Sequence, residues 1–441
     1  MTQPLARKLA LLTATLGALA TQAHASGFYL QEQSVRGTGR AYSGEVADQG
    51  PASLWWNPAS IGRPAKDAAG MPEPRAIEAY AGVHAVFVDA TVSNTGSTIT
   101  YPGGTTLPVR GEARGFDPIQ KGVVPNLAAS MPIGERFTIG LSLAAPYNFT
   151  TKYRRQSWAR YDGLESRLTT ADFELIGAMK VNEWLDLGVG VDAQYTDAKL
   201  STASPNLSPL LPDGVQQLSG DGWDYGWTVG AQAHFTNLSF GASYRAAIDH
   251  KLDGRVFVGG LLGPLAAGNA EVDGKAAFST PWIATLGARW KVTDKLTLNG
   301  QVQRVGWSEF DAIRIKTAAG NQALAQNYND ITSGAVGADF AVNDRLTLRA
   351  GVAYDPTPTP DAERTARVPD GDRWLYAVGA TGKLSESTQI DAGLAYIAFS
   401  DSDVHHDTTF YGGTPAAVNT ALRGVVIGKG YVMSLGVRTR F

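Results

Sequence analysis

Polar and apolar residues alternate with a period of two along most of the chain. Leu185, Leu187, Val189, Val191, Ala193 and Tyr195 fall on one side of such a run, and Asp186, Gly188, Gly190, Asp192 and Gln194 on the other. A helix would space its apolar residues three and four apart, so these runs predict strands with one apolar face. The pattern recurs at Trp223, Tyr225, Trp227 and Val229, over 240–248, 346–354 and 390–396, and from Tyr431 to Phe441. The opposite face carries Gly, Ser, Asp, Gln and Arg, unlike the doubly apolar strands of a buried parallel sheet.

Short polar turns at 132–136, 181–184, 235–238, 292–295, 342–345 and 384–388 each join two alternating runs. Six turns separate seven units, each long enough for two strands and one long loop, which gives fourteen strands. Short turns at one end, long loops at the other and an even strand number are the pattern of a bacterial outer-membrane barrel. A soluble sandwich or propeller would leave the Tyr and Trp near strand ends without a role, whereas an interfacial aromatic girdle requires them. The expected fold is therefore all-β: a 14-stranded antiparallel transmembrane β-barrel over residues 76–441, its last strand ending in Phe441, the signal read by outer-membrane assembly machinery.

The first 25 residues place the chain outside the cytoplasm. Arg7-Lys8, an apolar stretch and Ala23-His24-Ala25 make a secretory signal peptide, with the mature chain starting at Ser26. No later apolar run is long enough for a transmembrane helix. The formal charge of −3 becomes −5 once Arg7 and Lys8 leave, so no basic field for nucleic acid exists. The absence of cysteine removes disulfide, thiolate-metal and cysteine-nucleophile chemistry. None of His84, His234, His250, His405 and His406 stands in a nucleophile motif, so no enzyme activity is expected. His405-His406 with Asp401, Asp403 and Asp407 reads as a solvated cluster, and neither metal nor cofactor is expected.

Residues 26–75 differ from the rest, with no sustained alternation and with Trp55-Trp56 beside Asn57-Pro58-Ala59. Two adjacent tryptophans do not suit a solvated tail, and a fourteen-stranded barrel encloses a lumen that must be water-filled or plugged. The segment is read as an N-terminal hatch plugging the lumen.

Ser26-Gly-Phe-Tyr-Leu-Gln-Glu32, Gly37-Thr-Gly-Arg-Ala-Tyr-Ser-Gly-Glu45, Asn57-Pro-Ala59, Gly226-Trp-Thr-Val-Gly230, Tyr244-Arg245, Gly306-Trp-Ser-Glu-Phe310 and Pro369-Asp-Gly-Asp-Arg-Trp374 together resemble the long-chain fatty acid transporter (FadL) family, which includes aromatic-hydrocarbon relatives. The resemblance implies passive transport of hydrophobic compounds, with long-chain fatty acids the first expectation and neutral aromatic or alkane hydrocarbons the alternative. It implies capture at outer loops, interior binding, movement of the hatch and lateral exit at a kinked third strand.

Carried over by position, Phe28, Gly39, Arg40, Tyr42, Gly44, Asn57, Pro58 and Ala59 are gating residues, and Ala145, Pro146, Tyr147 and Asn148 form the kink, where proline removes a ladder donor. Arg314 matches a basic position for the ligand's carboxylate, and Lys199 is a substitute for a second that falls on Thr202. Phe257, Leu261, Leu262, Leu210 and Leu211 make apolar loop segments suited to ligand capture. A general porin for small polar solutes is the remaining alternative, against which the apolar loops and the Trp-containing leader speak. The expected surroundings are outer-membrane lipid and lipopolysaccharide, with the protein a monomer.

Overall fold

The computed structural model describes residues 27–63, 76–318 and 320–441. The expected signal peptide and the end of the expected hatch, residues 64–75, lie outside the described residues. The predicted strands form a closed antiparallel barrel of fourteen strands. The first strand, Glu78–Asn94, pairs on one side with the second, Gly122–Ile133, and on the other with the last, Val418–Arg440. That last pairing runs from Glu78 opposite Arg440 to Asn94 opposite Gly424 and leaves no free edge. All six short turns connect neighbouring strands.

The wall is inverted relative to a soluble protein. Phe173, Leu175, Val189, Val191, Leu286, Val302, Val336, Val378 and Leu435 are exposed on the outside, while Asp172, Glu174, Asp192, Gln194, Thr196, Gln232, Gln301 and Gln303 are buried within. Lipid solvates the first set, and each residue of the second makes at least one hydrogen bond inside the lumen. Aromatic pairs stand on the wall: Tyr195 with Trp223, Trp227 with Tyr244, Tyr354 with Trp374, and Tyr396 with Tyr431. No helix among the described residues is long and apolar enough to cross a membrane.

Residues 27–63 are almost wholly buried and hydrogen-bond to inward-facing wall residues. They form one helical turn, Val35–Thr38, and three 3-10 turns, Glu45–Ala47, Pro51–Ser53 and Pro58–Ile61. Ser34 caps the first, its hydroxyl accepting from the Gly37 N–H. Asn57 caps the last, its Oδ1 accepting from the Ala59 N–H at 2.9 Å, and Pro58 supplies the first helical position, where no donor is needed.

Glycines on the wall let this segment approach the wall backbone. A side chain at Gly241 would begin 2.0 Å from the Val46 carbonyl oxygen, and one at Gly351 would begin 2.1 Å from that of Arg40. Side chains at either position would push the segment off the wall.

Candidate lateral gap and interior cavity

The second and third strands pair from Ile133 opposite Phe137 to Leu127 opposite Leu143. There the ladder stops. The second strand continues to Gly122 paired with the first, and the third resumes as Asn148–Lys152 paired with the fourth, Glu165–Lys180. Pro146 has no N–H to donate, so Ala145, Pro146 and Tyr147 leave the sheet, whereas Asn148, expected in the kink, begins the resumed strand opposite Thr169.

Residues 28–33 occupy the resulting gap. The Leu30 N–H donates to the Pro146 carbonyl at 2.7 Å, and the Asn148 N–H donates to the Phe28 carbonyl at 3.2 Å. Gln33 spans both sides: its Oε1 accepts from Asn126 Nδ2 of the second strand at 2.8 Å, and its Nε2 donates to the Ala145 carbonyl at 3.3 Å. A short stretch of the N-terminal segment thus takes the partners that the broken ladder leaves over.

The wall is also interrupted at 246–247, at Pro281, at 307–311 and at 326–330, breaks that period-two patterning did not reveal. The third of these turns Trp307 and Phe310 inward. Phe28 packs edge-on against both, with ring centroids at 4.7 and 5.0 Å, and Tyr328 joins them. The recognisable motif Gly306 to Phe310 was the one sequence signal for this cluster.

Beside Phe28 lies a narrow cavity of about 50 Å³, lined by Phe149, Leu168, Leu218, Phe278 and Phe310 among others. Small-molecule pockets hold roughly 300–1,000 Å³, so this space is contracted, with Phe28 as one wall. Arg167, Gln326 and Arg367 also contribute to the lining. Arg167 is spent on Asp197 at 2.7 Å. Arg367 donates through Nη2 to the Asp162 carbonyl at 2.6 Å and through Nη1 to Ser166 Oγ at 3.2 Å. Burial pulls the Arg367 pKa down from the ordinary guanidinium range, and Asp162 opposes that shift.

The other predicted gating residues are brought together lower in the segment. The buried Arg40 pairs with Glu45, with Asp48 at 2.6 Å and with the wall residue Asp339 at 3.2 Å. Gly44 holds a left-handed φ of 69°, and its neighbours Ala41 and Tyr42 do so without being glycine. Gly39 lies so close to Gly379 that a Cβ would meet its Cα at 2.9 Å. Tyr42 stacks on Trp56 and donates to Glu32 Oε1 at 3.2 Å. Asn57 Nδ2 donates to the carbonyls of Val46 at 2.7 Å and Ala231 at 3.1 Å.

The two predicted basic residues are not at the cavity. Arg314 is 54 % exposed and forks onto Asp311 at 2.5 and 2.9 Å, while its neighbour Ile313 lines the cavity. Lys199 pairs with Glu165 at 2.7 Å, between Ala198 and Leu200, which line the cavity. In both cases the alternation of a strand turns the basic side chain to the opposite face.

Of the outer apolar residues, Leu261 is buried, whereas Leu210, Leu211, Leu262 and Phe257 are exposed. Phe257 belongs to a strand, Ile248–Gly259, rather than to a loop as the sequence suggested, because alternation continues through Val256 and Val258. Asn206 ties the two loops into one unit. Its Nδ2 donates to the carbonyls of Pro212 at 2.6 Å and Gly260 at 3.1 Å, and its Oδ1 accepts from the Leu262 N–H at 2.8 Å. His406, from the cluster read as solvated, pairs with the buried Asp162 at 2.6 Å.

The fold and site define an outer-membrane barrel whose lumen is occupied by its own N-terminal segment. Residues 16–441 match the model of the outer membrane protein transport protein family (OMPP1/FadL/TodX), and the chain belongs to that family. It is 27 % identical over 428 residues to the long-chain fatty acid transport protein of Escherichia coli O6:H1, covering 88 % of this chain and 90 % of that one. It is 29 % identical over 413 residues to the 47 kDa outer membrane protein of Pasteurella multocida, with the same coverages. The crystal structure of a Pseudomonas aeruginosa FadL homologue superposes with a TM-score of 0.79 at 24 % identity, covering 94 % of this chain and 99 % of that chain. The Ralstonia pickettii toluene transporter TbuX gives a TM-score of 0.63 at 19 % identity, covering 92 % and 98 %. The protein is accordingly an outer-membrane transporter of hydrophobic compounds.

Proposed function

We propose that the protein carries long-chain fatty acids passively across the outer membrane, with residues 26–75 as its hatch. The exposed Leu210, Leu211 and Leu262 on the loops joined by Asn206 capture the apolar chain, because removing it from water is favourable. The chain then enters the cavity beside Phe28, which must move to admit it. Exit is sideways into the membrane, between the second and third strands at Pro146.

The observation that carries this reading is that Phe28, which walls the cavity, begins the stretch 28–33 that fills the gap. A displacement that enlarges one therefore opens the other. A neutral hydrocarbon would use the same route, and the mostly apolar lining supports that second reading, as does the likeness to a toluene transporter.

The test is uptake of radiolabelled oleate, toluene and a small sugar by cells lacking their own transporters. Oleate uptake that falls at least tenfold with Pro146→Ala supports lateral exit of a fatty acid. Uptake of toluene alone moves the substrate to neutral compounds, and uptake of the sugar alone overturns the reading in favour of a porin.

A further inference from the structure

Two outer arms of the chain carry an unbalanced charge. Residues 105–121, before the second strand, and 152–160, which end the third strand and run on from it, hold seven Lys and Arg against two acids, whereas the whole chain is slightly acidic. Three of the seven are spent: Arg160 on Asp213 at 2.7 Å, Arg154 on Glu112 at 3.1 Å and Lys152 on Glu165 at 3.3 Å. Arg110, Arg114, Lys121 and Arg155 are exposed and have no carboxylate within 4 Å among the described residues. The other acid, Asp117, is exposed between Arg114 and Lys121.

Backbone contacts hold the arms together. They pair in parallel at Glu112 and Ser157, the Glu112 N–H donating to the Gln156 carbonyl at 2.7 Å and the Trp158 N–H to the Glu112 carbonyl at 3.1 Å. Gly111 takes a positive φ of 121°, and a Cβ there would run into the Gln156 carbonyl, so the approach requires glycine. Arg160 Nη1 donates to the Arg110 carbonyl at 2.7 Å, and the buried Trp158 donates through Nε1 to the Val92 carbonyl of the first strand at 3.2 Å. Arg110 and Arg155 each lie two residues before the paired position, and Arg114 lies two residues beyond it on the first arm. Like charges gathered on a fixed backbone attract a polyanion, and little ordering is left for binding to impose.

The first strand fixes their height. Val86, Val88, Ala90 and Val92 are buried, so Phe87, Asp89, Thr91 and Ser93 face the membrane side. Phe87 is opposite Tyr431, which packs on Tyr396 with ring centroids 5.3 Å apart, and such aromatics mark the interface. Arg114 is opposite Ser93, six residues further along, and opposed residues share a face. At about 3.3 Å per residue and a tilt of about 40°, it stands roughly 15 Å above the aromatic band on the lipid side, among phosphorylated sugars rather than acyl chains. Elsewhere the rim differs. On the sixth to eighth strands the exposed residues above Trp223 are acidic on balance, and Arg255 and Lys275 are paired there with Glu271 at 3.3 Å and Asp253 at 2.7 Å.

We propose that Arg110, Arg114 and Arg155 form a docking site for the phosphates of lipopolysaccharide, the glycolipid of the outer leaflet, and hold one such molecule beside the continuation of the strand broken at Pro146. Its phosphates take guanidinium donors that no carboxylate of the chain takes, and arginine's planar fork suits them. The site is independent of what the lumen carries.

The test titrates the full-length protein, in detergent without divalent cations, with rough lipopolysaccharide before and after removal of its phosphates by hydrogen fluoride, and reads the bound species by native mass spectrometry. Wild type is compared with Arg110→Gln/Arg114→Gln/Arg155→Gln and with Lys251→Gln/Arg255→Gln/Lys275→Gln, which removes as many charges from the acidic side. Retained heat-modifiable gel mobility shows that each variant is folded. Expected is a loss of affinity for the phosphorylated glycolipid of about tenfold in the first variant and less than about twofold in the second. Wild type should prefer the phosphorylated form by about tenfold, a preference that shrinks in high salt. Unchanged affinity in the first variant, equal loss in both variants or equal binding of the two glycolipids by wild type overturns the site. Displacement of the glycolipid by millimolar inorganic phosphate does so as well, since the arms would then take any small anion. If the triple variant fails to fold, Arg114→Gln and Arg155→Gln decide singly, each with an expected loss of about two- to threefold, and no loss in either overturns the proposal.

Discussion

Two stretches of the N-terminal segment are held in the lumen by different means. Residues 36–48 are fastened by charge: Arg36, Arg40, Glu45 and Asp48 interlock with one another and with Arg289 and Asp339 of the wall, Arg40 standing 2.6 Å from Asp48 and 3.2 Å from Asp339. Glycine-lined wall positions let their backbone sit directly on the strands. Residues 28–33 are fastened by neutral hydrogen bonds to a broken ladder and by ring contacts around Phe28. Buried ion pairs are costly to separate because each freed charge stays desolvated, whereas a neutral amide exchanges partners at about 1 kcal/mol. On the transport reading proposed above, the first stretch is the body that stays and the second the tip that leaves, as a channel needs if it is to admit a ligand without opening to polar solutes.

Substitutions that exchange these properties should break the contrast. Removing the guanidinium with Arg40→Ala takes from Glu45 its ion-pair partner, leaves Asp48 to Arg36 and Arg289 and Asp339 to Arg289 and Arg349, and should cost about 3–5 kcal/mol. Ion conductance in planar bilayers should rise as the body loosens, and wild-type conductance would show that charge does not hold it. Gly241→Val places atoms against the Val46 carbonyl and should cost about 1–3 kcal/mol. Hydrogen exchange should then speed up over 36–48 before it does over 28–33.

Gln33→Leu should act in the opposite order. It leaves the Asn126 amide and the Ala145 carbonyl without this partner, a penalty of about 1–3 kcal/mol confined to the tip. Faster exchange at 28–33, unchanged exchange at 36–48 and quicker oleate uptake are expected. Equal loosening of both stretches would mean that they form one unit.

The smallest effect concerns His406. Burial opposes its charge, but Asp162 at 2.6 Å outweighs burial and raises its pKa above the ordinary imidazole value. The stabilisation is therefore complete below that ordinary value and is lost as pH rises through the raised one. Exchange at the Ala366 N–H should exceed its ordinary base-catalysed rise with pH across this window, and His406→Gln should abolish the excess.

The barrel was legible because each strand obeys one rule, outward apolar and inward polar, and because the short turns count the strands. Pro146 was legible for a related reason, since its missing donor has a single consequence within a ladder. The cation at the cavity was not. Arg314 and Lys199 stand one residue from cavity-lining neighbours, and in a strand one residue reverses the face. Arg367 lies in the connection 356–372, whose course depends on Asp162, Thr151 and Ser166, residues some 200 positions earlier. No local pattern encodes such a contact. The breaks at 307–311 and 326–330 escaped for the same reason, since only the lumen's filling explains why the wall bends there.

The ion pair between Arg40 and Asp339 spans 299 residues of chain. During biogenesis the N-terminal segment is exported first, yet its anchoring carboxylate lies on the tenth strand and the seam with the first strand is made by the last. The lock can therefore close only after most of the wall exists. Until then Arg40 has only Glu45 and Asp48 of its own segment as partners and the two adjacent tryptophans lack the wall around them, so sealing of the lumen comes late in assembly and coincides with the step that completes the barrel.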